Sequence, residues 1–129
     1  MNTTEFLTNY WQHMTEGNAE GIRTFFDPTA LSYLHDTNEI LTVDDWVNHL
    51  NSSNSSEDWH MTIDRIDKLE NGQILIITFH RSPSWVGFIT SFFTIKNDKI
   101  MELNEYYSPC DNNIVPQWRD DLSEEERFL

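Results

Sequence analysis

Residues 59–82 read WHMTIDRIDKLENGQILIITFHRS, and residues 85–107 read WVGFITSFFTIKNDKIMELNEYY. Each stretch is a pair of aromatic and β-branched runs broken once, at Asn71-Gly72 and at Asn97-Asp98. Asn-Gly is the strongest short hairpin signal, because a two-residue type I′ turn needs positive φ at both positions; Asn-Asp tolerates the same geometry. The chain is therefore predicted to form strands over 59–69, 73–82, 85–96 and 99–107. Two-residue turns pair Ile66 with Ile77 and Thr90 with Glu105, and a tight turn at Pro83-Ser84 pairs Ile77 with Thr90. Strand alternation then sorts the side chains into two faces. One carries His60, Thr62, Asp64, Ile66, Leu75, Ile77, Phe79, Arg81, Phe88, Thr90, Phe92, Leu103, Glu105 and Tyr107. The other carries Trp59, Met61, Ile74, Ile76, Thr78, His80, Trp85, Ile89, Ser91, Phe93, Asn104 and Tyr106.

Working outward, Asn2 with Glu5 caps a first helix running to about Glu16, with Phe6, Leu7, Tyr10, Trp11, His13 and Met14 at helical spacing. Gly17-Asn18 stops it, and Asn18 caps a short second helix that ends at Asp27-Pro28. Short strands over 30–35 and 38–41 follow. Thr42 with Asp45 caps a third helix turning Val43, Trp46, Val47 and Leu50 inward. Asn51–Asp58 reads as a polar loop. Helices grouped before an antiparallel sheet indicate α+β, with the helices covering one sheet face. The continuous run Ile74-Leu75-Ile76-Ile77 belongs to a strand covered on both faces. The second face is expected to meet another copy through Trp85, Ile89, Phe93 and Tyr106, giving a homodimer. The alternative cover is Pro116-Gln117-Trp118.

The chain has 129 residues, 22 acidic and 8 basic, for a formal charge of −14. One domain over 1–129 is expected, with 108–129 as a C-terminal extension. The acidic balance argues against nucleic acid and anionic membrane as partners. Cys110 stands alone, excluding an intrachain disulfide. The first residues carry neither a basic start nor an apolar core, so no signal peptide is expected and the localisation is read as cytoplasmic. The five histidines show no zinc spacing, and there is no phosphate-loop or nucleophile-elbow motif, so no metal and no cofactor is expected.

Element order and four local stretches resemble the nuclear transport factor 2-like superfamily, in particular its SnoaL-like (polyketide cyclase-like) branch. The stretches are Glu16 through Ala30, Leu41 through Trp46, Ser91 through Ile100, and Leu103-Asn104-Glu105-Tyr106-Tyr107. The resemblance implies a cystatin-like α+β cone: a curved antiparallel sheet wrapped around three N-terminal helices, with a cavity on its helical side. It also implies a range of functions, from isomerases, dehydratases and cyclases to non-catalytic modules. The ketosteroid isomerase branch places a tyrosine at Tyr10, but its two acids would fall near Leu34 and at Thr90, so steroid isomerisation is not expected. Arg81 with Asp64 and Glu105 is loosely similar to the epoxide hydrolase arrangement.

Glu105 is the first catalytic candidate: burial on the cavity face would raise its pKa and suit it to acid–base work. The alternative is a structural carboxylate bonded to Thr90, Tyr107 or helix backbone. Tyr107 and Tyr10 could bond a ligand oxygen, and His35 could transfer protons at the cavity mouth. Trp11, Trp46, His60, Asp64, Arg81, Phe88, Thr90, Phe92 and Leu103 are the expected lining. The ligand is read as a small, largely apolar organic molecule. The activity would be that of a cofactor-free lyase, isomerase or cyclase; the alternative is a ligand-binding or assembly module without turnover.

Overall fold

A computed structural model describes residues 2–53 and 59–110. The proposed cover at Pro116-Gln117-Trp118, the acidic tail Ser123–Arg127 and most of the Asn51–Asp58 loop lie outside the described residues. The described chain runs α1 (Thr3–Glu16), α2 (Ala19–Arg23), β1 (Phe26–Leu34), β2 (Glu39–Thr42), α3 (Val43–Ser53), β3 (His60–Lys68), β4 (Ile74–Arg81), β5 (Val86–Lys96) and β6 (Lys99–Pro109). The strands form one open sheet of order β2-β1-β6-β5-β4-β3. All neighbours are antiparallel except β1 and β6, which run parallel, so the sheet is mixed where a wholly antiparallel one is expected.

The helix caps follow the sequence. The Asn2 side chain accepts the Glu5 N–H at 2.8 Å, and Asn18 accepts the Gly21 N–H at 2.9 Å. Thr42 and Asp45 close a reciprocal box, each side chain accepting the other's backbone N–H. Gly17 ends α1 at φ 70°, a conformation that costs glycine nothing and a side chain something. Two boundaries differ. The second helix stops at Arg23, and Asp27-Pro28 already lies in β1; α3 runs through Asn51-Ser52-Ser53. The core under the helices holds Leu7, Tyr10, Ile22, Trp46, Val47, Ile76, Phe93, Ile100 and Leu103, each at most 1 % exposed. Leu7 and Tyr10 come from α1, and Trp46 with Val47 from α3, so both helices press their apolar stripe onto the same sheet face.

The sheet register departs from expectation at three places, and these departures decide what lies inside. The first hairpin turns over three residues: Leu69 N–H bonds to the Gln73 carbonyl at 2.8 Å, and only Gly72 takes positive φ, at 87°. A type I turn closed by a left-handed glycine replaces the two-residue turn, and Ile66 meets Ile76 rather than Ile77. A bulge then leaves Asp64 between paired Ile63 and Arg65. The Asn97-Asp98 turn does have both φ values positive, 52° and 59°. Beyond it, Thr94 pairs with Glu102 while Ile95 pairs with Ile100, so Met101 is bulged. That one extra residue puts Ser91, not Thr90, opposite Glu105, and a one-residue shift exchanges the faces of everything it carries. The middle pairing is as expected, with Ile77 opposite Thr90.

Consequently Ile74, Ile76, Thr78, His80, Ser91, Phe93, Leu103 and Glu105 are the buried sheet residues beneath the helices. Leu75, Ile77, Phe79, Phe88, Thr90, Phe92 and Tyr106 alternate with them and occupy the outer face. Trp85, Ile89 and Phe93, expected to meet a second copy, are therefore internal; of that group only Tyr106 lies outside, 43 % exposed.

Candidate functional site

A cavity of about 580 Å³ lies between the sheet and the helices. Trp11, Met14, Ala19 and Ile22 enter it from the first two helices, Trp46, His49 and Leu50 from α3, and Met61, His80, Trp85, Ile89, Glu105 and Tyr107 from the sheet side. It is open at a rim where Thr15, Asn18, His49 and Ser84 are exposed. The volume falls in the range of pockets that enclose small organic ligands.

Glu105 forms the polar floor and is 1 % exposed. Ser91 Oγ donates to its Oε2 at 2.8 Å, and the Tyr107 hydroxyl donates to its Oε1 at 2.9 Å. Burial pushes its pKa up to about 7; the two donated bonds pull the other way, and the charge of Asp36 adds to the rise. Tyr107 is raised beyond the usual phenol range by burial first and then by the Glu105 charge, so it is a donor throughout the physiological range. Tyr10 is raised well above its ordinary value by burial and by Glu105. The Trp46 indole N–H beside it pulls the other way. The Tyr10 hydroxyl and the indole N–H groups of Trp11 and Trp46 are all buried without a hydrogen-bond partner. Each orphaned group costs roughly 1–3 kcal/mol.

On β4, two strands along the same sheet, His80 Nε2 and Thr78 Oγ1 share a hydrogen bond of 2.7 Å. Burial holds the imidazole down at about 4, so it is neutral near pH 7. Trp85 packs edge-on to His80, and His80 edge-on to Trp11, with ring centroids 6.4 and 6.0 Å apart. Gly87 permits this wall. A Cβ there would lie 2.6 Å from the Ser108 carbonyl oxygen and 2.7 Å from the Trp85 ring.

Of the expected site residues, Glu105, Tyr107, Trp11 and Trp46 meet at the cavity, whereas Tyr10 packs in the core outside the cavity lining, close enough to Glu105 to feel its charge. Leu103 is inside but packed in the core. The others are corrected outward. His35 lies past the end of β1 on the outer face, where its Nε2 bonds Asn104 Oδ1 at 2.8 Å and its ring stacks on Tyr106 at 4.3 Å. Thr90, Phe88 and Phe92 were exchanged to the outer face by the Met101 bulge. Arg81 is exposed and sits over the Phe79 ring, 5.6 Å from its centroid, while His60 pairs opposite it. Asp64 is held apart from Arg81 by its own bulge. The sequence reading placed His80, Ser91, Ile89 and Trp85 on the wrong face.

Among the described residues no cluster of histidine, cysteine and carboxylate could hold a metal ion. No helix among them is long and apolar enough to cross a membrane.

Neither a protein-family model nor a curated protein sequence matches the chain. Solved structures do. An NTF-2-like protein of unknown function from Burkholderia xenovorans superposes with a TM-score of 0.75 at 16 % identity, over 94 % of this chain and 92 % of that one. A candidate SnoaL-like polyketide cyclase from Shewanella putrefaciens gives 0.69 at 10 % identity, over 83 % and 80 %. A protein with a ketosteroid isomerase-like fold from Catenulispora acidiphila, in complex with trimethylamine, gives 0.71 at 15 % identity, over 83 % and 88 %. With an open six-stranded sheet curved around N-terminal helices and these structural likenesses, the chain has the nuclear transport factor 2-like fold.

Proposed function

We propose that this chain binds a small organic molecule in the cavity and moves a proton on it, with Glu105 as the acid–base group, in the manner of a cofactor-free lyase, isomerase or cyclase of the SnoaL-like kind. The observation that carries the reading is the buried Glu105 carboxyl, poised near pH 7 at the floor of an apolar cavity with unsatisfied donors beside it. A carboxylate takes a proton best when its pKa lies near the working pH. Tyr107 and Ser91 orient it. Trp11 and Trp46 line the cavity and carry indole N–H groups with no internal partner, which suits them to a ligand carbonyl as it gains negative charge. That a similarly folded protein holds trimethylamine supports reading the cavity as a small-molecule site.

Deuterium uptake at the α-carbon of a benzylic ketone in D₂O, followed by NMR, tests the chemistry. Catalysed uptake should rise with pH through about 7, where Glu105 loses its proton, and should vanish in Glu105→Gln. Equal uptake in the variant removes Glu105 from the mechanism. Binding without uptake selects the second reading, a ligand-binding module, which the two internal bonds already occupying the carboxylate favour.

The homodimer also remains part of the proposal, moved to different residues. Leu75, Ile77, Phe79, Phe88, Phe92 and Tyr106 form a broad apolar outer surface on three adjoining strands. A second copy would cover it. Sedimentation of the wild type and of Phe92→Glu measures this: a dimer that becomes a monomer supports it, and a wild-type monomer ends it.

A further inference from the structure

The wall of the cavity has a chemical character that an apolar pocket does not require. Trp59, Trp85 and Tyr107 follow one another with centroids 6.4 Å apart and planes tilted by 51° and 59°. His80 and Trp11 continue the series at 70° and 69°. Three tryptophans and a tyrosine, Trp11, Trp59, Trp85 and Tyr107, thus border one space, and rings of this kind attract a cation through the negative face of their π system. Trp46, with His49 stacked on it at 5.6 Å, closes the side formed by α3. Among the described residues no lysine or arginine lines the cavity, and the carboxyl group in the lining is Glu105. The chain as a whole carries a formal charge of −14.

From this box of aromatic rings over a single buried carboxylate, we infer that the ligand is an organic cation: an alkylated or quaternary ammonium attached to a larger apolar body. Aromatic faces attract an ammonium most strongly where water is excluded, and tryptophan is the best of them. A carboxyl without a cationic side chain nearby gains a partner when such a ligand enters, whereas an anionic ligand meets only repulsion from it. The cavity exceeds what a methylammonium head can fill, which sets the need for the apolar body. The titratable groups facing the bound cation are Glu105 and Tyr107 from β6, His80 from β4, His13 from α1 and His49 from α3. His80 is neutral near pH 7 and so offers no opposing charge.

The inference rests on the cavity being a ligand site, and a charge series separates the two ideas. The probes are benzyltrimethylammonium, its neutral carbon isostere neopentylbenzene, and phenylacetate, each titrated into the full-length protein by calorimetry at pH 8. The cation should bind at least tenfold more tightly than the isostere, and phenylacetate more weakly than either. Glu105→Gln should weaken the cation at least fivefold while changing the isostere less than twofold, and Trp85→Leu should weaken the cation more than the isostere. If either variant fails to fold, the wild-type series decides alone. Equal affinity for cation and isostere, or preference for phenylacetate, overturns the cation inference and leaves the ligand site standing. Failure of all three probes to bind overturns both.

Discussion

The two faces of this sheet carry the same residue types and use them differently. Tyr106 and Tyr107 are neighbours in sequence. Tyr106 points outward, 43 % exposed, and stacks on His35. Tyr107 points inward and donates to Glu105. His35 outside bonds Asn104 in reach of water, whereas His80 inside is 6 % exposed and held neutral by desolvation. The difference teaches that the candidate chemistry comes from burial, not residue identity. A carboxyl and an imidazole become unusual here because the helices remove their water.

The sharpest way to break this comparison is to truncate one phenylalanine on each face. Phe93 is fully buried against Tyr10, with ring centroids 5.5 Å apart. Phe93→Ala should cost about 3–5 kcal/mol in urea unfolding. Phe92, half-buried outside against Tyr106, should cost less than about 2 kcal/mol at low protein concentration. A loss from Phe92→Ala as large as that from Phe93→Ala at every concentration would mean that the outer face is covered within the chain itself.

Glu105→Gln comes next in size, and its sign is opposite to that of a carboxylate held ionised by an ion pair. The folded pKa of about 7 lies above the ordinary 4.5, so between these values the unfolded chain releases a proton that the native chain keeps. Stability therefore falls as pH rises from about 4.5 to 7 and then levels. Gln keeps the shape without the ionisation. Relative to wild type, Glu105→Gln should gain with rising pH, by up to about 3 kcal/mol at pH 8 over pH 5. His80 gives the reverse slope at lower pH: its folded value of about 4 lies below 6.5, so its contribution is lost as pH falls through that window. A stability difference between Glu105→Gln and wild type that ignores pH would show that the carboxyl is hydrated after all.

Much of this could be read before any coordinates. Caps, helix order and the Asn97-Asp98 turn follow from local rules that need no tertiary information. Glu105, Tyr107, Trp11 and Trp46 were legible because inward alternation along the end of β6 and the helical stripes needed no knowledge of a distant bulge. The faces of β4 and β5 were not legible from turn length alone. Yet a trace of both bulges is present: Ile63 with Ile66, and Ile100 with Leu103, are apolar pairs three apart where a regular strand would space them by two. Each pair brackets an extra residue. Weighing those spacings above the turn type would have sent Ser91 and His80 inward. The orphaned donors could not be foreseen, because whether a buried N–H finds a partner depends on packing between separate elements.

The smallest expected effect tests the outer face where the sequence reading went furthest astray. His35 resembles a working residue: an imidazole at a strand end, followed by Asp36. Its side chain bonds Asn104 and stacks on Tyr106, across the sheet from the cavity. An exposed stack of this kind is worth about 0.5–1.5 kcal/mol. His35→Ala should therefore lower stability by no more than about 1.5 kcal/mol, the top of the same range of stacking energies. Deuterium uptake by the ketone probe and calorimetric binding should stay unchanged, because the backbone bond from His35 N–H to the Glu105 carbonyl, at 3.0 Å, does not depend on the side chain. Uptake that falls tenfold in His35→Ala with binding kept would bring the outer histidine into the chemistry, and would show that a proton path along β6 crosses the sheet between its two faces.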